Sequence, residues 1–135
     1  LGDVYKRQVL DRALSLPHSL HLFDGEVSTI VFTAEKHSDE KNVTYKTIDF
    51  TQDVLPQIME VLYQQKIQSL LVEGGSQLLQ SFIDTELWDE VYIEKCPCKL
   101  NSGVKAPEIS DNFSYSTEEH FDRQIWRYVF GRWLK

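Results

Sequence analysis

The residues best suited to chemistry stand together in the middle of the chain: Glu73, Gly74, Gly75 and Ser76. They follow the apolar run Leu70-Leu71-Val72 and precede a stretch with helical spacing. Two successive glycines let the backbone turn tightly and approach a ligand closely, because neither carries a Cβ. A helix starting there offers unpaired N–H groups and the positive end of its dipole. The combination suits a phosphate group. Glu73, at the mouth of such a site, can address a sugar hydroxyl or an amine. Read locally, the same letters also describe a plain tight connection after a polar strand end, with Ser76 as a simple N-cap.

The remaining reactive side chains form no comparable constellation. The two cysteines, Cys96 and Cys98, flank Pro97. A pair this close excludes a disulfide framework, and one intervening residue is too few for the usual zinc spacing. They are expected to be small apolar fillers at a strand end. His18, His21, His37 and His120 are scattered, so no metal is expected. The net charge of −7, with no offsetting basic patch, argues against a nucleic-acid partner. No apolar run approaches the roughly 20 residues of a membrane span. Residues 1–8 are too polar for a signal peptide, and a cytoplasmic location is the expectation.

These residues must be positioned by a framework, and the pattern supplies one. Val9-Leu10-Asp11-Arg12 reads as the end of a short strand before the break at Leu16-Pro17. Residues 28–33 are β-branched and apolar, as in a buried strand. Residues 43–50 alternate. Asp53 is expected to cap a helix whose apolar positions Val54, Leu55, Ile58, Val61 and Leu62 share one face, with Pro56 tolerated in the first turn. Residues 69–73 read as a buried strand. Leu78, Leu79, Phe82 and Ile83 give the next helix its apolar face, and residues 89–96 a further strand with Val91 and Ile93 on one side. Residues 113–121 and 124–130 alternate about a turn at Phe121-Asp122-Arg123, as an antiparallel hairpin. The expected class is α/β, a mixed sheet with parallel βαβ crossovers and a C-terminal antiparallel hairpin. In such sheets ligands bind beyond the carboxyl ends of strands, where Glu73-Gly74-Gly75 would stand.

On Leu70-Leu71-Val72-Glu73-Gly74-Gly75, with Leu78 and Phe82 on the helix, Trp88-Asp89-Glu90-Val91 opening the next strand, Pro97 ending it and Asn101-Ser102-Gly103 following, the sequence resembles a known family. It is similar to the reductase domain of the bacterial bifunctional riboflavin-biosynthesis deaminase/reductase. Val9-Leu10-Asp11-Arg12 with Leu16-Pro17 resembles that family's earlier strand. The resemblance implies a dihydrofolate-reductase-like fold and NADPH-dependent reduction of 5-amino-6-(5-phosphoribosylamino)uracil to its ribityl product. It implies that Glu73 binds substrate near the reacting ribose. Gly74, Gly75, Ser76, Gln77, Leu78, Leu79, Gln80 and Ser81 would hold the cofactor's pyrophosphate, and Arg12 would contact the NADPH side.

The chain also departs from the family. Residues 1–8 do not match it and are set apart as a foreign segment, leaving residues 9–135 as the reductase part. The family's earlier half-sheet and its zinc-binding deaminase domain are not among these residues. A partial chain is therefore expected, with the deaminase fused upstream in the parent protein and little or no activity in the chain alone. The resemblance further implies a homodimer. Two other functions stay open on the residues themselves: a non-catalytic nucleotide- or phosphate-binding module, and a dihydrofolate-reductase relative acting on another pterin or pyrimidine.

Overall fold

The computed structural model describes residues 5–98, 101–110 and 112–131. The chain divides into two compact units, Leu1–Ser69 and Leu70–Lys135.

The first unit is built on three parallel strands, β1 (Arg7–Leu10), β2 (Thr29–Thr33) and β3 (Val43–Thr47), in the order β1-β2-β3. Central β2 is buried at all five positions. A parallel strand flanked on both edges and covered on both faces needs apolar residues throughout, which is why Thr-Ile-Val-Phe-Thr runs without alternating. Its two threonines stay paired: Thr29 Oγ1 donates to Leu22 O at 3.0 Å and Thr33 Oγ1 to Arg12 O at 3.0 Å. Val31, Val43 and Tyr45 form a core cluster, with Val9, Leu14 and Phe23 packed against it. Arg7 and Gln8, set apart in the sequence as unmatched, form the first half of β1 opposite Thr29 and Ile30. Residues 1–4 of that segment lie outside the described residues.

Helix α1 (Val54–Gln64) buries Leu55, Ile58 and Leu62, the face that the spacing foretold. Asp53 occupies its N-cap position but makes no side-chain capping bond. Gln57 ties this turn together instead, with Nε2 donating to Asp53 O at 2.9 Å and to Asp49 O at 2.8 Å.

The second unit joins helix α2 (Ser76–Asp84) to an antiparallel sheet of β4 (Glu90–Lys95), β5 (Tyr115–His120) and β6 (Arg123–Val129), in the order β4-β6-β5. The expected hairpin is β5 and β6, and β4 lies along the other edge of β6. One sheet face carries Val91, Ile93, Trp126, Tyr128 and Tyr115, with the Tyr115 and Trp126 rings stacked at 4.7 Å. The opposite face is charged. Arg127 grips Glu90 through two hydrogen bonds, of 2.5 and 3.2 Å, and Arg123 meets Glu94 at 2.5 Å. Trp88 meets Phe113 and Phe130 edge-on at 4.9 and 5.0 Å.

Two sequence expectations are corrected. Residues 69–73 are not a strand. The segment has no sheet partner among the described residues, and Leu71 is 79% exposed. An apolar, β-prone run becomes a strand only when neighbours accept and donate its backbone hydrogen bonds, and neither sheet extends to this segment. The expected crossover through residues 69–73 is therefore not formed, and β4 pairs antiparallel with β6. Second, Cys96 and Cys98 fill no core: both are exposed. β4 is an edge strand, and the chain leaves it at Cys96 into open loop.

Candidate functional site

The Glu-Gly-Gly segment leads straight into α2. Gly75 is the N-cap of that helix, so Ser76 is its first helical residue and not its cap. The two glycines differ in what they need. Gly74 has φ +156°, a backbone geometry that favours glycine, and a Cβ there would stand 3.7 Å from the Leu78 side chain. Gly75 has φ −63°, open to any residue, and a Cβ there would meet nothing within 4 Å. No contact among the described residues requires glycine at 75. The backbone is bare there, and the space in front of it is open.

The first turn of α2 carries unpaired backbone donors among the described residues. The N–H groups of Ser76, Gln77 and Leu78 have no carbonyl one turn back within the helix. Leu79 is the first whose N–H is engaged, donating to Gly75 O at 3.3 Å. The side chains further along are already occupied. Ser81 Oγ donates to Gln77 O at 2.9 Å. Gln80 Nε2 donates to Asp84 Oδ1 at 2.8 Å and to Glu108 O at 3.1 Å, while Gln80 Oε1 accepts from Glu108 N at 2.8 Å. Leu78 and Leu79 are half-buried.

Gln80 thereby anchors residues 105–108 beside the helix. Between them lies an open cleft of about 260 Å³ lined by Ser76, Gln77, Gln80 and residues 105–108. Lys105 forms an ion pair with Glu108 on its rim. The ammonium's hydrogen bond and charge hold the Glu108 carboxyl below its usual range. The sequence reading did not include Lys105 or Glu108. Their approach to α2 depends on contacts between residues 28 apart, which no local pattern reports.

Glu73 is exposed, and no partner engages its carboxylate among the described residues. Arg12 lies in the other unit, past the end of β1. Its guanidinium stands over the Phe50 ring, 5.8 Å from the centroid, and its carbonyl accepts from Ala34 N at 2.9 Å.

Beside Arg12 is a residue that the sequence reading passed over. Asp11 is only 5% exposed. Its carboxylate accepts from Ser15 N at 2.9 Å, Ser15 Oγ at 3.2 Å and Leu16 N at 2.9 Å. Burial alone would raise its pKa, but these donated hydrogen bonds together outweigh burial and hold it below the usual value of 3.8. Asp11 thus shapes the loop that carries Arg12 away from β1. An aspartate followed by a serine four residues later is the available signal, and it is a weak one.

A family model for the RibD C-terminal domain matches residues 3–103. The chain belongs to the RibD C-terminal domain family. The match takes in β1, β2, β3, both helices and the whole Glu73-to-Ser81 segment. Among the relatives, this RibD C-terminal domain is 28% identical over 111 residues to the riboflavin biosynthesis protein RibD of Bacillus amyloliquefaciens, covering 76% of this chain and 30% of that protein. It is 28% identical over 115 residues to the 2,5-diamino-6-ribosylamino-4(3H)-pyrimidinone 5′-phosphate reductase of Archaeoglobus fulgidus, covering 81% and 52%. The chain thus spans 30% and 52% of the length of these two relatives. The solved structure of Acinetobacter baumannii RibD, form 2, has the same fold: TM-score 0.72 at 18% identity, over 91% of this chain and 37% of that one. The mixed α/β fold expected from the sequence, with parallel strands and an antiparallel C-terminal hairpin, is the one observed. Among the described residues no helix is long and apolar enough to cross a membrane, and no group of three or more His, Cys, Asp or Glu could hold a metal ion.

Proposed function

We propose that this chain is part of a reductase that uses reduced nicotinamide, as NADPH, to convert the ribosyl group of a phosphoribosylaminopyrimidine to a ribityl chain in riboflavin biosynthesis. The observation that carries this reading is the family match across the Glu73-to-Ser81 segment. The bare backbone at Gly75 is compatible with it: a Cβ there would meet nothing within 4 Å among the described residues, so a ligand has room to approach. NADPH, when bound, supplies the hydride.

The chain's own residues divide the work. The N–H groups of Ser76, Gln77 and Leu78, at the positive end of α2 and without a carbonyl partner within the helix, suit a pyrophosphate. Gly74 and Gly75 keep its approach clear. Leu79, Gln80 and Ser81 support the turn from behind, since their polar groups are bonded within the protein. Glu73, one residue ahead of the glycines and without a partner among the described residues, orients the substrate by accepting a hydrogen bond from its amine or hydroxyl. Arg12 enters as a cofactor-side contact. The parent protein is proposed to carry a deaminase domain upstream, and two reductase copies to pair.

The test is turnover. The protein is mixed with NADPH and, separately, with 5-amino-6-(5-phosphoribosylamino)uracil or the 2,5-diamino pyrimidinone that the archaeal relative's name specifies. Nicotinamide absorbance and ribityl product are then followed. NADPH-dependent formation of a ribityl product from either substrate is expected of the protein that carries this segment. Absence of product from both, in a protein shown to bind NADPH, would overturn the assignment of substrate.

A further inference from the structure

The cleft beside α2 holds a lysine that the proposed reaction has not used. Lys105 lines it together with Ser76 and Gln77 of the first helical turn. The Ser76 hydroxyl and the Gln77 side-chain amide are bonded to no other described residue. With the N–H groups of residues 76–78, that wall of the cleft offers a set of hydrogen-bond donors. On the other wall Ala106 and Pro107 bring no polar side chain. Lys105 is the one cation among the residues lining the cleft, in a chain whose net charge is −7.

This lysine is held near its backbone and loose at its tip. Gln80 fixes the backbone of Glu108 through both its N–H and its carbonyl, and the fixed φ of Pro107 stiffens the step before it. The ammonium of Lys105 pairs with the Glu108 carboxylate, but the two side chains are 80% and 72% exposed. An ion pair so open to water contributes little. An ammonium on a flexible four-carbon stem therefore changes partners readily. A phosphate at the first turn of α2 is the stronger partner, because the helix end holds it in place and it carries more acceptor oxygens. Glu108 and that phosphate would compete for the same ammonium.

We propose that Lys105 is the cationic clamp of the pyrophosphate site: it leaves Glu108 and closes on the phosphate groups held at the first turn of α2, with Glu108 as its competing counter-ion. The proposal rests on the reading of that turn as the place of the cofactor's pyrophosphate.

The test is calorimetric titration of the whole chain with inorganic pyrophosphate and, separately, with NADPH, on wild type, Lys105→Met and Glu108→Gln. Salt is kept at about 0.15 M, where exposed charges more than about 8 Å apart are largely screened. Both substitutions break the ion pair, and both leave intact the Gln80 ring, which uses only the backbone of Glu108. Lys105→Met is expected to weaken binding of each ligand by about tenfold, as for one lost hydrogen bond between charged groups. Glu108→Gln is expected to tighten each by about twofold to fivefold, as for release from an exposed ion pair. A pair that only shaped the cleft would move both variants in the same direction. Shifts of the same sign, or a Lys105→Met chain that binds pyrophosphate as wild type does, would overturn the proposal, as would a wild-type chain that binds no pyrophosphate. NADPH bound equally by wild type and both variants would remove Lys105 and leave the cofactor reading standing. Pyrophosphate bound with the expected opposite shifts, beside no binding of NADPH, would support the clamp and overturn the cofactor reading.

Discussion

The side-chain amide of Gln80 closes a ring of two hydrogen bonds with the backbone of Glu108, accepting from its N–H at 2.8 Å and donating to its carbonyl at 3.1 Å. This ring holds one wall of the cleft against α2. Gln80→Ala is expected to lower stability by about 1 kcal/mol per lost bond and to speed amide exchange at Glu108. Gln80→Glu keeps the acceptor for the N–H and loses the donor, so it should retain most of the protection. Urea unfolding and hydrogen exchange check both. Unchanged exchange at Glu108 in Gln80→Ala would mean that residues 105–108 are held by something else.

Asp11 gives the protein an acid limb. Its folded carboxyl is held below the unfolded value, near 3.8. The contribution is therefore complete above that value and is lost as pH falls through the lower, folded value. Asp11→Asn leaves the Ser15 and Leu16 donors facing a weaker acceptor, and is expected to destabilise by about 1–3 kcal/mol at neutral pH. The deficit relative to wild type should shrink below pH 3.8. Denaturation midpoints across the acid range report it, and a deficit that grew with acidity would contradict the role.

Glu73 separates function from folding. Its carboxylate is exposed and unpartnered among the described residues, so Glu73→Gln is expected to leave stability within about 0.5 kcal/mol. In the enzyme that carries this segment, kcat/KM should fall by about tenfold to a hundredfold, as for one lost hydrogen bond to a charged group. Steady-state kinetics beside thermal melts distinguish the two. Equal kcat/KM in the variant would remove Glu73 from the site.

Much of the framework was legible because it is local. The unbroken Thr-Ile-Val-Phe-Thr run gave the central strand, the spacing of Leu55, Ile58 and Leu62 gave α1, and the alternation about Phe121-Asp122 gave the hairpin. What failed depended on neighbours. Leu70-Leu71-Val72 carries a strand's composition, yet pairs with nothing among the described residues. Cys96 and Cys98 have the size of core fillers, yet sit beyond an edge strand. At the site, the glycine turn and the helix behind it were readable. The Gln80–Glu108 ring was not, because it joins residues 28 apart. Which residue caps the helix was hidden as well, since Gly75 and Ser76 are both accepted cap residues.

The central claim is that a pyrophosphate sits on the bare backbone at Gly75, and one substitution tests it directly. Gly75 already has a φ that any residue adopts and open space around its missing Cβ. Aspartate is a favoured N-cap residue, and its charge suits the helix dipole. Gly75→Asp is therefore expected to fold and to melt no lower than wild type, with a gain of about 0.3–1 kcal/mol. The same charge would repel a pyrophosphate. NADPH titration by nicotinamide fluorescence, on wild type and variant alike, should find binding in the first and none in the second. A folded variant that binds NADPH as tightly as wild type would contradict the account.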